Sequence, residues 1–250
     1  PTTMPTVNVH LLPDLVAEEA LAGSAVVVMD VLRATTTLTY ALAAGAAKVI
    51  ACLEIDEARR IAASLAGERP LLGGERGGLR IEGFDLGNSP SEYTPESIAG
   101  RTLVFTTTNG TRAMLHCRQA RQVLLGSLVN RQAVVRALTD EARIDLVCAG
   151  TRGQITREDA LCAGALVAGM AQIGGGRQLN DQALLVLAAW HVLAAGGMDS
   201  DLLAEELKDT QGGRNLLAEG LQADIPWAAR LDRFDLVPRF DPADSTISIR

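Results

Sequence analysis

Val26-Val27-Val28-Met29-Asp30-Val31-Leu32-Arg33-Ala34-Thr35-Thr36-Thr37 is an apolar run that stops at a carboxylate, turns through an arginine and enters a Thr-rich stretch. With Ala25 before it, Ala25–Met29 is five apolar residues without alternation, which predict a strand buried on both faces. Thr35–Ala44 has helical composition and ends at Gly45, a good residue to follow a helix. The pattern recurs in Leu103-Val104-Phe105-Thr106-Thr107-Thr108-Asn109-Gly110-Thr111-Arg112. Working outward, Thr6–Leu11, Lys48–Leu53, Pro70–Leu72, Thr102–Phe105, Gln122–Leu125 and Ile144–Cys148 read as strands. Asp14–Ala22, Ile55–Leu65, Gly110–Gln119, Asn130–Thr139 and Thr156–Ile173 read as helices, and Asn180–Arg230 as mostly helical. Strands alternating with helices predict an α/β fold in three layers, a mainly parallel sheet with helices on both faces. Gly73–Pro95 reads as a Gly-rich loop whose length implies a task.

The two Thr-rich units align without gaps, Thr37–Ile50 on Thr111–Leu124, so that Ala46 meets Ala120 and Val49 meets Val123. Two explanations stand: a duplicated βαβ unit, or chance likeness between two such units. The expected organisation is one compact α/β unit over residues 1–250; duplication would make it two subdomains with the site between them.

A net charge of −7 over 250 residues argues against a general nucleic-acid binder, which needs a basic stripe to neutralise phosphates. Cys52, Cys117, Cys148 and Cys162 have no zinc spacing and lie in apolar runs, so buried free thiols in a reducing compartment are expected. The longest apolar stretches, near Ala160–Ile173 and Ala183–Ala195, are too short for a membrane span, and no signal-peptide pattern is read. These readings lead to the expectation of a cytoplasmic protein that engages no membrane. Small-residue helices make a homodimer plausible.

Hydroxyls, backbone N–H groups and an arginine gathered where a helix begins suit an oxyanion. Thr35, Thr36 and Arg33 in the first turn, and Thr107, Thr108, Asn109, Gly110, Thr111 and Arg112 in the second, are candidates to bind one. Asp30 ends a buried strand, where a carboxylate costs several kcal/mol unless paired. It reads as a metal ligand or nucleophile, against a helix cap or an ion pair with Arg33. Glu75 and Arg76 sit between two Gly pairs, and Asp85, Asn88 and Ser89 supply oxygens that serve equally as turn formers. Thr151 and Arg152 follow a third strand, and Glu158-Asp159 pairs two carboxylates, although Thr156-x-x-Asp159 also resembles a capping box. The usual P-loop, GxGxxG and GxSxG patterns are absent, and His10, His116 and His191 share no metal spacing.

Together, MDVLRATTT (Met29–Thr37), LLGGERGG (Leu71–Gly78), IEGFDLGNSPSEY (Ile81–Tyr93), TTTNGTRAM (Thr106–Met114), LLGSLVN (Leu124–Asn130), VCAGTRG (Val147–Gly153) and EDALCAGAL (Glu158–Leu166) resemble the 2-phosphosulfolactate phosphatase family. A weaker likeness runs from Gly212 to about Phe240. The resemblance implies a Mg²⁺-dependent phosphatase that cleaves 2-phospho-3-sulfolactate to 3-sulfolactate and phosphate, on a route to coenzyme M. Its partner would be a small anionic phosphorylated substrate. On that reading Asp30, Glu75, Arg112 and Asp159 carry catalysis. Mg²⁺ is held by carboxylates among Asp30, Glu75, Asp85 and Asp159, and Arg33, Arg76 and Arg112 bind the other anionic groups. A phosphatase for another small phosphorylated acid, and a non-catalytic binder of a phosphorylated metabolite, are the competing readings.

Overall fold

The computed structural model describes residues 4–65, 67, 69–173 and 176–249. The strands among them are β1 (Thr6–His10), β2 (Ala25–Met29), β3 (Lys48–Ala51), β4 (Leu71–Arg76), β5 (Leu79–Arg80), β6 (Thr102–Thr106), β7 (Gln122–Gly126), β8 (Arg143–Cys148), β9 (Gln178–Leu179), β10 (Arg239–Asp241) and β11 (Thr246–Ser248). The helices are α1 (Ala34–Ala43), α2 (Ile55–Ser64), α3 (Pro95–Ile98), α4 (Gly110–His116), α5 (Arg131–Ala137), α6 (Arg157–Gln172), α7 (Asp181–Ala194), α8 (Ser200–Lys208), α9 (Gln211–Ala218) and α10 (Ile225–Ala228). None of the described helices is long and apolar enough to cross a membrane.

One mixed sheet runs in the order β5-β4-β6-β3-β11-β10-β7-β2-β8-β1-β9. It contains two parallel blocks, β4-β6-β3 and β7-β2-β8-β1-β9, joined by the antiparallel hairpin β10–β11. The three antiparallel pairings between β7 and β3 reverse the sense of one block relative to the other.

The aligned Thr-rich units exchange across that hairpin. The unit β2–α1–β3 starts in one block and ends in the other, and β6–α4–β7 makes the reverse crossing. β2 therefore pairs β7 while β3 pairs β6, and the N-termini of α1 and α4 meet. The carboxyl ends of strands from both blocks converge at that meeting point.

The apolar run of β2 is buried throughout, as its sequence predicts. Ala25, Val27 and Met29 join a core with α5, α6, α7 and α8, while Val26 and Val28 join a second core with α1 and α4. Each fully buried Val or Leu contributes roughly 1.5–3 kcal/mol, which fixes the site-bearing end of β2. All four cysteines are buried and free.

Two local expectations change. Asp14–Ala22 forms two short 3-10 turns, Pro13–Leu15 and Glu18–Leu21, rather than a helix. β4 runs on through Gly73, Gly74, Glu75 and Arg76, which the sequence places in a loop. Glycines weaken the strand signal, yet Gly74 is required: it adopts φ +130°, and a Cβ there would lie 1.9 Å from the Thr106 carbonyl of β6.

Candidate active site

Asp30 leaves β2 with its backbone N–H on Thr35 Oγ1 at 3.0 Å, and its Oδ1 accepts the Ala34 N–H at 3.2 Å. The helix-cap role is thus real but engages one oxygen. No donor among the described residues reaches Oδ2. Opposite it stands Gly110, where a Cβ would come 2.9 Å from Asp30 Oδ2 and 2.6 Å from the Ala34 Cβ. Only glycine lets the second Thr-rich turn close on the first.

These turns border a cleft of about 270 Å³ lined by Asp30, Arg33, Glu75, Asn88, Thr108, Asn109, Thr151 and Arg152. Its remaining wall, which includes Gly212, Asn215 and Glu219, comes mainly from α9 and the residue after it. Glu75 ties the second Thr-rich turn to the turn between β4 and β5: its Oε1 accepts the Thr108 N–H at 2.8 Å and its Oε2 the Gly78 N–H at 2.7 Å.

Asp159 stands behind Asp30. Its Oδ1 accepts the Val31 N–H at 2.8 Å, and its Oδ2 accepts the Gly150 N–H at 3.0 Å and the Thr156 hydroxyl at 3.1 Å. Glu158 is 2 % exposed, accepts the Gly212 N–H on Oε1 at 3.0 Å and leaves Oε2 buried without a partner among the described residues. A side chain at 212 would put its Cβ 2.3 Å from Glu158 Oε1.

Crowding acids in so little water shifts them. Burial pushes the Asp30 carboxyl up to about 7, helped by the charges of Glu75 and Glu158 and opposed by the Ala34 N–H and Arg33. Burial, then the charges of Glu158 and Asp30, push Asp159 well up, against the pull of the Val31 and Gly150 N–H groups. Burial raises Glu158 as well. Strongly perturbed acids clustered beside a cleft mark a functional site.

Several predicted residues stand elsewhere. Arg112 is exposed and is not among the residues lining the cleft, because it lies on the outer side of α4. Arg76 ties β4 to its neighbours through the Thr106 hydroxyl at 2.9 Å and the Glu75 and Leu53 carbonyls. Asp85 is exposed and accepts the Leu72 N–H at 2.8 Å, a bond that ties the segment after β5 back to β4. Thr35 and Thr36 are buried, and their hydroxyls donate to the Asp30 and Val31 carbonyls. Thr107 and Thr111 bond each other at 3.2 Å. Buried hydroxyls need partners, and here the turns themselves supply them. Ser89 lies behind the cleft, donating to Asp224 Oδ2 at 2.8 Å, and Asp224 also holds Arg33 Nη1 at 2.6 Å. Arg112→Ala is accordingly expected to leave KM and kcat within about twofold in steady-state kinetics, as for most surface changes.

Sequence reasoning passed over Asp224 and the α9 wall, and preferred Asp159 to Glu158 for the metal. The signal for the wall is the Gly212-Gly213 doublet within the stretch expected to be mostly helical. Both glycines are buried in α9, and Gly212 touches Glu158.

The sequence model of the 2-phosphosulpholactate phosphatase family matches residues 10–242. The chain belongs to that family. Among relatives of this phosphatase family, a "Probable 2-phosphosulfolactate phosphatase" of Symbiobacterium thermophilum is 40% identical over 223 residues, covering 89% of this chain and 93% of the relative. Proteins with the same name from Clostridium perfringens strain SM101 and Gloeobacter violaceus are 37% and 39% identical, covering 94% and 93% of this chain and 93% and 94% of the relatives. Five of the seven motifs that carry the resemblance supply residues that line the cleft: the β2 and β6 turns, β4 with the turn after it, the segment around Asn88 and the turn after β8.

Proposed function

We propose that this chain is a Mg²⁺-dependent phosphatase that releases phosphate from 2-phospho-3-sulfolactate, leaving 3-sulfolactate on a route to coenzyme M. The observation that carries the reading is the charge balance of the cleft. Asp30, Glu75 and Glu219 face Arg33 and Arg152, and Arg33 is already neutralised by Asp224. A cation interposed between these acids and an anionic substrate would balance the charge.

The residues fit Mg²⁺ in kind. The cleft wall offers carboxylate, amide and hydroxyl oxygens and no His or Cys. Buried oxygens without partners gather there: Asn88 Oδ1, Thr108 Oγ1 and, behind Gly212, Glu158 Oε2. Among the described residues no three of His, Cys, Asp and Glu are placed to hold a metal ion, so Mg²⁺ here would take one or two carboxylates and fill its other positions with water and substrate oxygens. Asp30 would hold it, with Glu158, whose Oε2 has no partner among the described residues, as a further acid; Glu75 and Asp159 each have both oxygens engaged by donors. When bound, Mg²⁺ neutralises phosphoryl charge and polarises water. The protein's own part is positioning: the Thr108 hydroxyl and the Asn109 amide face the cleft and suit phosphoryl oxygens. Water then replaces the substrate's C2 oxygen on phosphorus, and the released oxygen takes a proton.

The test is phosphate release from 2-phospho-3-sulfolactate by the purified protein, beside 2-phospholactate. Release is expected to stop in EDTA, return with Mg²⁺ and favour the sulfonated substrate. Undiminished release in EDTA would remove the metal from the reading. Preference for phospholactate would move the substrate to another phosphorylated acid, and no release by folded protein would remove the activity.

A further inference from the structure

Two guanidinium groups line the cleft, and their surroundings differ. Arg33 is 4 % exposed, with Nη1 on Asp224 and Ser89 and Nη2 on the Gly78 carbonyl. Its charge is cancelled and its fork largely occupied. Arg152 lies at the exposed rim, and its side chain meets neither an acid nor a hydrogen-bond acceptor among the described residues.

The backbone that carries Arg152 is fixed. Its N–H donates to Asn109 Oδ1 at 3.2 Å, which binds it to the second Thr-rich turn. Thr151 and Gln154 exchange N–H···O bonds of 3.0 and 2.9 Å on either side of it. Arg152 itself sits at φ +52°, between Gly150 at +64° and Gly153 at +73°. Glycine or asparagine adopts that conformation at least cost. An arginine there holds its guanidinium over a cleft it does not need for packing.

We propose that Arg152 selects the substrate by binding its second acidic group, the sulfonate or carboxylate remote from phosphorus. This rests on the phosphatase reading, in which phosphate lies inward at Asp30 and Thr108. Carbon atoms then carry the remaining anions toward the rim, where a free planar fork matches two oxygens of one group. Arg76 and Arg112, which the sequence put forward for that role, do not line the cleft.

The experiment is calorimetric titration of wild type, Arg152→Ala and Arg152→Lys with 3-sulfolactate and, separately, with inorganic phosphate, all with Mg²⁺. Arg152→Ala is expected to weaken 3-sulfolactate by about tenfold to a hundredfold and to leave phosphate within about twofold. Lysine, keeping the charge without the fork, should fall between. Unchanged affinity for 3-sulfolactate, equal weakening of phosphate, or no 3-sulfolactate binding by wild type would overturn the assignment. Phosphate release measured on the same samples separates the two readings. Arg152-dependent binding without hydrolysis keeps this inference and removes the phosphatase, whereas hydrolysis with Arg152-independent binding does the opposite.

Discussion

Asp30→Asn is expected to abolish most turnover and, in metal-free buffer above neutral pH, to raise stability. Asparagine keeps an oxygen for the Ala34 N–H, which Asp30 Oδ1 accepts at 3.2 Å, so the start of α1 is retained. What disappears is a charge that burial disfavours. The folded protein holds a proton on Asp30 up to about pH 7, whereas the unfolded chain gives it up near 3.8. The stability this provides is therefore complete below about 3.8 and lost as pH rises through 7, because the folded state binds more protons across that window. The loss by pH 8 is at most about 4 kcal/mol, and asparagine escapes it. In EDTA the two proteins should melt together near pH 4, and the variant should melt several degrees higher at pH 8. Added Mg²⁺ should raise the melting temperature of wild type at pH 8 and barely move the variant. Turnover should fall about 10²-fold or more. Equal melting at pH 8 would mean that the charge is carried without cost. Near-normal turnover would take Asp30 out of the reaction.

Such a trade of stability for function was partly legible in the chain. A carboxylate ending a five-residue apolar run is a local contradiction, and contradictions of that kind concentrate at working sites. The strand–turn–helix order and a mainly parallel sheet with helices on both faces followed from apolar runs and their spacing. The pairing of the two Thr-rich units also left a trace, in the gapless alignment of Thr37–Ile50 with Thr111–Leu124. Their exchange across β10–β11 did not, because a three-residue strand such as Arg239–Asp241 has too little pattern to announce a place at the centre of a sheet. Which polar groups face the cleft was the least legible part. Thr107 and Thr108 are neighbours of one type, yet one hydroxyl is spent on Thr111 and the other is unpaired at the wall. Arg112 and Arg152 each follow a Thr at a turn, and only the second lines the cleft. Those outcomes depend on the direction of a few side chains, which residue type does not encode.

Asp159→Ala should do the opposite of Asp30→Asn, although the two carboxylates belong to one cluster. Asp159 serves three elements at once: the Val31 N–H beyond β2, the Gly150 N–H beyond β8 and the Thr156 hydroxyl before α6. Truncation leaves two buried N–H groups and a hydroxyl without partners, at about 1–3 kcal/mol each. The expected loss is about 3–9 kcal/mol, a large share of the 5–15 kcal/mol typical of a native protein. Asp159→Asn should lose less, since one oxygen still accepts the Val31 N–H and the Thr156 hydroxyl can turn to accept from the new amide; only the Gly150 N–H is then opposed by a donor. Removing Asp159 also removes a carboxyl that burial and the charges of Glu158 and Asp30 push up, but this relief is smaller than the cost of three orphaned donors. Urea unfolding at neutral pH checks the order: Asp30→Asn at or above wild type, Asp159→Asn below it, Asp159→Ala lowest. Activity supplies the second test. If Asp159 is a scaffold, kcat per folded molecule should recover substantially in Asp159→Asn, because the turns it ties remain in place. If Asp159→Asn is stable and yet as inactive as Asp30→Asn, the carboxylate itself takes part in the chemistry, and the scaffold role drawn from its three donors would be the lesser half of its work.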